Sequence, residues 1–68
     1  MTYKEIETLV DGKMLPLMGH NENNEAIIVE KVNYDGEMLF KITTAQHNGW
    51  CRMNYFHKDG TVEEMFEK

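Results

Sequence analysis

Three side chains in the second half of the chain could do chemistry together: His47, Cys51 and His57. Thiolates and imidazoles are the ligands that zinc prefers, and a cysteine beside a histidine can act as a nucleophile. Both roles require convergence on one point, because zinc lies about 2.0–2.3 Å from its ligands. His20 could supply a fourth ligand. The elements that carry these residues therefore decide whether they can act together.

Those elements are predicted by four dipeptides, each lying between runs of β-branched, aromatic and other apolar residues. Asp-Gly and Asn-Gly favour two-residue type I′ hairpin turns, because both turn residues need a positive φ. Three of the four lie close together in the second half, which predicts a β-meander. The dipeptides are Asp11-Gly12, Asp35-Gly36, Asn48-Gly49 and Asp59-Gly60. The strands are predicted near residues 26–34, 37–47, 50–58 and 61–67.

The meander keeps the candidate chemical groups apart. Cys51 and His57 fall on one face of the same strand, separated by six residues and hence by roughly 20 Å. His47 is predicted opposite Trp50, on the face away from Cys51. The chain also has no serine, no phosphate-binding glycine loop and no His-Glu-x-x-His pattern. We therefore expect no enzymatic activity, no metal site and no cofactor.

Two-residue turns also fix which residues share a face, because side chains alternate along a strand. They place Val29 opposite Ile42, Ile42 opposite Tyr55 and Arg52 opposite Glu67. An apolar face then collects Ile27, Val29, Met38, Phe40, Ile42, Thr44, Cys51, Met53, Tyr55, Val62 and Phe66. The more polar face collects Glu30, Lys41, Thr43, Arg52, Asn54, Glu63 and Glu67. The pattern predicts that the first of these faces is covered.

The first 18 residues have two interpretations. A hairpin around Asp11-Gly12 is favoured by the turn signal, whereas Thr2 as N-cap with Glu5 in a capping box would start a helix ending at Gly12. Residues 19–25 are polar or glycine and are predicted to form a loop. We expect a single domain over residues 1–68, with the meander over residues 26–68. The predicted fold is mainly β, a meander of four to six strands curled into an open barrel or sheet.

Composition limits the classes of partner. The net charge is −5 in a chain of 68 residues, which argues against direct nucleic-acid binding, since phosphate contacts need clustered Lys and Arg. No apolar run approaches the roughly 20 residues that span a bilayer, so no membrane partner is expected. The single cysteine, Cys51, excludes an internal disulfide. A cytoplasmic location is expected, because free thiols persist in reducing compartments.

The more polar face carries the strongest functional signal. Trp50, Phe56 and Met65 are predicted to lie there among Arg52 and Asn54, and these residue types are common where proteins bind one another. The sequence thus predicts a non-enzymatic interaction module that binds a protein partner or a second copy of itself.

Two other interpretations stay open at this point. The same apolar residues could form a second small core under a curled sheet edge. The acidic excess could also belong to a small phage- or mobile-element-type inhibitor that blocks a nucleic-acid-binding enzyme through a negative surface.

Overall fold

The computed structural model describes all 68 residues and contains one five-stranded antiparallel sheet with a short helix against it. Each strand pairs with the next one in sequence, so the sheet order is β1-β2-β3-β4-β5. The predicted mainly β meander is confirmed, and the short N-terminal helix that the sequence left as the alternative to a hairpin is present. The elements are α1 Tyr3–Val10, β1 Leu17–His20, β2 Ala26–Tyr34, β3 Glu37–Ala45, β4 Cys51–Phe56 and β5 Val62–Glu67.

Helix α1 begins at the capping box that the sequence offers. The Thr2 hydroxyl accepts the Glu5 N–H at 3.2 Å, and the Glu5 carboxylate accepts the Thr2 N–H at 3.1 Å. The helix ends at Asp11, and Gly12 follows with a φ of 74°. That positive φ stops a helix rather than turning a hairpin. The favoured hairpin around Asp11-Gly12 is therefore wrong, and the helical alternative is right.

The core lies between α1 and one side of the sheet. Ile6, with 2% of its surface exposed, and Tyr3 pack from the helix against Val29, Phe40 and Phe56. The rings of Tyr3 and Phe40 are 4.7 Å apart between centroids. We call this side of the sheet the helix face. The other side, which carries Leu39 and Met53, is the open face, because no second layer covers it.

The hairpin between β2 and β3 has the predicted two-residue turn. Asp35 and Gly36 both have a positive φ, 51° and 83°, as a type I′ turn requires. Val29 lies opposite Ile42, which confirms the predicted register for this pair of strands.

The next two hairpins have three-residue loops instead. The Gln46 N–H donates to the Trp50 carbonyl, and the Gly49 N–H donates to the Gln46 carbonyl. In the next loop the His57 N–H donates to the Thr61 carbonyl, and the Gly60 N–H donates to the His57 carbonyl. In such a loop only the last residue, a glycine here, needs a positive φ. Each of these loops shifts the register of the two strands that it joins by one residue, relative to the register that a two-residue turn would give.

These shifts exchange the two faces of β4, so that each of its side chains lies on the face opposite to the one predicted. Ile42 lies opposite Asn54 rather than Tyr55, and Arg52 lies opposite Phe66 rather than Glu67. Two-residue turns would also set Met53 opposite Thr44 and Phe66, whereas Met53 lies opposite Thr43 and Met65. Because the two shifts cancel beyond β4, the predicted faces hold for β2, β3 and β5. Cys51, Met53 and Tyr55 thus lie on the open face, whereas Arg52, Asn54 and Phe56 lie on the helix face.

The polar stretch predicted as a loop over residues 19–25 is largely a third hairpin of the same form. Gly19 and His20 belong to β1, and the Asn21 N–H donates to the Glu25 carbonyl. Asn24 takes the left-handed position with a φ of 60°. The loop is anchored to its neighbour, because His47 Nε2 lies 3.0 Å from the carbonyl oxygen of Asn23.

Candidate interaction surface

The five residues predicted to bind a partner do not form one surface. Trp50, Arg52, Asn54 and Phe56 occupy alternate positions along the helix face of β4, whereas Met65 lies opposite Met53 on the open face. Phe56 is 8% exposed and belongs to the core under α1. The predicted site therefore divides into a buried residue, three partly exposed residues, and one residue on the other side of the sheet.

Helix α1 covers only part of the helix face. Farther along the same face, at the edge strand β5, Phe66 lies directly opposite Arg52 and is 54% exposed. Trp50, just before β4, is 40% exposed. We call Trp50, Arg52, Asn54 and Phe66 the β4–β5 patch. Sequence reasoning missed Phe66 because it was assigned to a face that was expected to be covered.

Arg52 lies at the centre of this patch without a counter-ion. Its Nε is buried and has no hydrogen-bond partner. The side-chain contacts within ion-pair distance all involve His57, and Arg52 has none, so the predicted pairing of Arg52 with Glu67 is wrong. Glu67 lies opposite Cys51 on the open face. A buried donor without an acceptor costs about 1–3 kcal/mol of stability, and the positive charge of Arg52 is left without a carboxylate partner within this chain.

Polar and charged groups border the patch. Asn54 Nδ2 donates to Glu64 Oε2 at 3.3 Å, and Lys68 Nζ lies 5.6 Å from the centroid of the Trp50 ring. The patch thus has an aromatic and arginine centre with a polar border. That arrangement is typical of protein interfaces, where Trp and Arg contribute most of the binding energy.

The open face has aromatic and titratable groups that are paired with one another. His57 Nε2 lies 3.0 Å from Glu63 Oε1, and His57 Nδ1 lies 3.6 Å from Glu37 Oε2. The rings of Tyr34 and Tyr55 are 5.8 Å apart between centroids. These neighbours surround Leu39, which is fully buried on this face. Unlike Arg52, His57 has a carboxylate near each ring nitrogen.

The candidate chemical groups lie in separate places. Cys51 and His57 face the same side at opposite ends of β4, and His47 lies in a loop against Asn23. No group of three or more His, Cys, Asp or Glu side chains is arranged to hold a metal ion.

Comparisons of the chain with models of protein families, with curated proteins and with solved structures give no match. Helix α1, with eight residues, lacks the length to cross a bilayer.

Proposed function

We propose that this chain is a non-enzymatic protein–protein interaction module that binds through the β4–β5 patch. The observation that carries the proposal is that two exposed aromatic residues, Trp50 and Phe66, lie beside Arg52, which has no counter-ion. Trp50, two residues before Arg52, and Phe66, directly opposite it, provide apolar anchors. A partner that covers both rings and offers a carboxylate would supply Arg52 with a counter-ion.

The open face is a weaker candidate for the same role. Tyr34 is as exposed as Trp50, at 40%, but its polar neighbours already bind one another. A partner on that side would have to displace the contacts of His57 with Glu37 and Glu63. The β4–β5 patch has an arginine without a counter-ion instead, so a carboxylate of a partner can pair there without displacing an existing ion contact.

Paired alanine variants test this proposal. Trp50→Ala removes an anchor of the patch, and Tyr34→Ala removes an aromatic side chain of equal exposed fraction from the other face. We expect Trp50→Ala to lose association with the partner, whether another protein or a second copy, while Tyr34→Ala keeps it. Association is measured by crosslinking and capture from a cell lysate and by sedimentation of the purified chain. Circular dichroism confirms that both variants are folded.

Equal association of the two variants would contradict the proposal. Unfolding of Trp50→Ala would also contradict it, because Trp50 would then be a core residue. The cytoplasmic location proposed with this function is supported by the lone Cys51, since free thiols persist in reducing compartments.

A further inference from the structure

Strand β5 is an edge of the sheet, and it runs along the β4–β5 patch. The His57 N–H donates to the Thr61 carbonyl in the loop between β4 and β5, and this bond is the first of the series that pairs the two strands. In an antiparallel pair the backbone groups alternate between facing the neighbouring strand and facing away. Glu63, Met65 and Glu67 therefore bond to β4. The backbone groups of Val62, Glu64 and Phe66 face outward and have no strand to pair with.

We propose that a second copy of this chain pairs antiparallel with β5, with Phe66 directly opposite Phe66 of the second copy. The proposal rests on the function proposed above, since it names the occupant of the β4–β5 patch. The two sheets would join into one ten-stranded sheet about a two-fold axis beside Phe66. An isologous contact of this kind places the same patch on both sides of the axis.

Charge selects this register among those that β5 allows. A two-fold axis beside Glu63, Glu64 or Glu67 sets a glutamate opposite its own copy, and like charges directly opposite are unfavourable. An axis beside Met65 sets Glu63 opposite Glu67 of the second copy, and the symmetry repeats this pair with the two copies exchanged. An axis beside Val62 avoids them too, but it pairs only the first residue of β5 with a strand residue, because the preceding residues belong to the loop. An axis beside Phe66 avoids these contacts within the strand. It sets Glu64 opposite Lys68 of the second copy, which gives two pairs of opposite charge.

This register also involves the Phe66 end of the patch. The helix face would carry, in one row across both chains, Arg52, Phe66, Phe66 of the second copy and its Arg52. Each exposed Phe66 ring gains an apolar neighbour. Lys68, whose ammonium lies over Trp50, would reach Glu64 of the second copy. Because the axis lies near the end of β5 at Glu67, only the last residues of the strand take part, and we expect a small interface and a weak dimer that depends on protein concentration.

A charge-exchange cycle tests the pairing. Sedimentation of the wild type between about 10 μM and about 1 mM should show a monomer–dimer equilibrium, as expected for a small interface. Glu64→Lys and Lys68→Glu each replace two attractive pairs by two repulsive ones, and each should weaken dimerisation roughly tenfold. The double variant Glu64→Lys/Lys68→Glu should restore it. Restoration excludes a purely local effect of losing the bond between Glu64 and Asn54.

Disulfide trapping tests the register. In a Cys51→Ala background, Phe66→Cys places two thiols opposite each other across the axis, and directly opposed residues of this kind lie about 5.5 Å apart between Cα atoms. We expect mild oxidation to crosslink Phe66→Cys efficiently. The matched variant Glu64→Cys should crosslink poorly, because its position faces Lys68 of the second copy.

A wild type that remains monomeric at every concentration would overturn the proposal, and so would preferential crosslinking through Glu64→Cys. If the chain is monomeric but captures another protein in a Trp50-dependent manner, only the second-copy proposal fails. If neither association occurs, the proposed function fails with it.

Discussion

The clearest test of the assigned roles compares Phe56 and Trp50, two aromatic residues that lie on the helix face at the two ends of β4. Phe56 ends β4 in the core under α1, whereas Trp50 precedes β4 and is 40% exposed. Replacement of each by Ala should therefore have opposite consequences. Phe56→Ala should reduce stability with no direct effect on the patch, and Trp50→Ala should reduce association with little effect on stability.

The expected magnitudes follow from burial. Truncating a buried Phe to Ala costs about 3–5 kcal/mol, and the low end applies here because the core is thin and Phe56 keeps 8% exposure. A chain of this length has about 3–10 kcal/mol of stability in total, so Phe56→Ala approaches the threshold of unfolding. Trp50→Ala should cost roughly 0.5 kcal/mol, as for other exposed positions.

Urea denaturation followed by far-UV circular dichroism measures both variants, since Trp50→Ala lacks the single tryptophan that fluorescence would need. With a slope of about 1 kcal/mol per molar urea, Phe56→Ala should lower the midpoint by about 3 M. Trp50→Ala should lower it by about 0.5 M on the same slope. Equal losses in the two variants, or a larger loss for Trp50→Ala, would refute the division of β4 into a core end and a binding end.

Three further predictions concern the local structure. Thr2→Ala should lower the free energy of unfolding by about 1 kcal/mol in urea denaturation, because it removes the capping box of α1. Gly60→Ala should lower it by about 1 kcal/mol, because the φ of 95° strains a side chain, whereas Gly19→Ala should be near neutral. Hydrogen bonds from Thr61 hold the pKa of Asp59 below its ordinary value of 3.8. The ionised Asp59 therefore stabilises the fold above pH 3.8, and this contribution is lost as the pH falls through the lowered pKa. The free energy of unfolding of Asp59→Asn, measured by denaturation across this pH range, should not show this loss. Parallel pH profiles of the variant and the wild type would contradict the prediction.

Strands β2 to β5 were predictable because they are short apolar runs between turn residues, and their order follows from the meander, whereas β1 lies partly in the stretch predicted as a loop. The turn types were harder to predict. Asn48-Gly49 and Asp59-Gly60 resemble Asp35-Gly36 in sequence, yet only Asp35 takes a positive φ before its glycine. An Asn-Gly or Asp-Gly dipeptide is compatible with a two-residue turn and with a three-residue loop. The choice between them decides the register.

The side-chain pattern of β4 did not resolve that choice. Cys51, Met53 and Tyr55 alternate with Arg52, Asn54 and Phe56, and the first set is the more apolar. In the structure the first set lies on the open face, where Met53 is buried without a covering layer. Apolar residues on both sides of a strand leave its orientation weakly specified.

The candidate site was predictable only in part for the same reason. Trp50, Arg52 and Asn54 remain on one surface because they share a period of two along the chain. Phe66 joins them only through the corrected register, and Phe56 leaves them because α1 covers its end of β4. The capping box correctly predicted α1, but Asp11-Gly12 supported a competing hairpin.

The central claim is that the β4–β5 patch and its edge strand are where this chain associates. Amide hydrogen exchange measured by NMR at low and high protein concentration tests it residue by residue. The claim predicts that the outward amides of Glu64 and Phe66 become protected only at high concentration, whereas Val62, beyond the overlap, stays unprotected. Glu63 and Met65, bonded to β4, should be protected throughout. Concentration-dependent protection on the open face or at β1, with none at Glu64 and Phe66, would contradict the account.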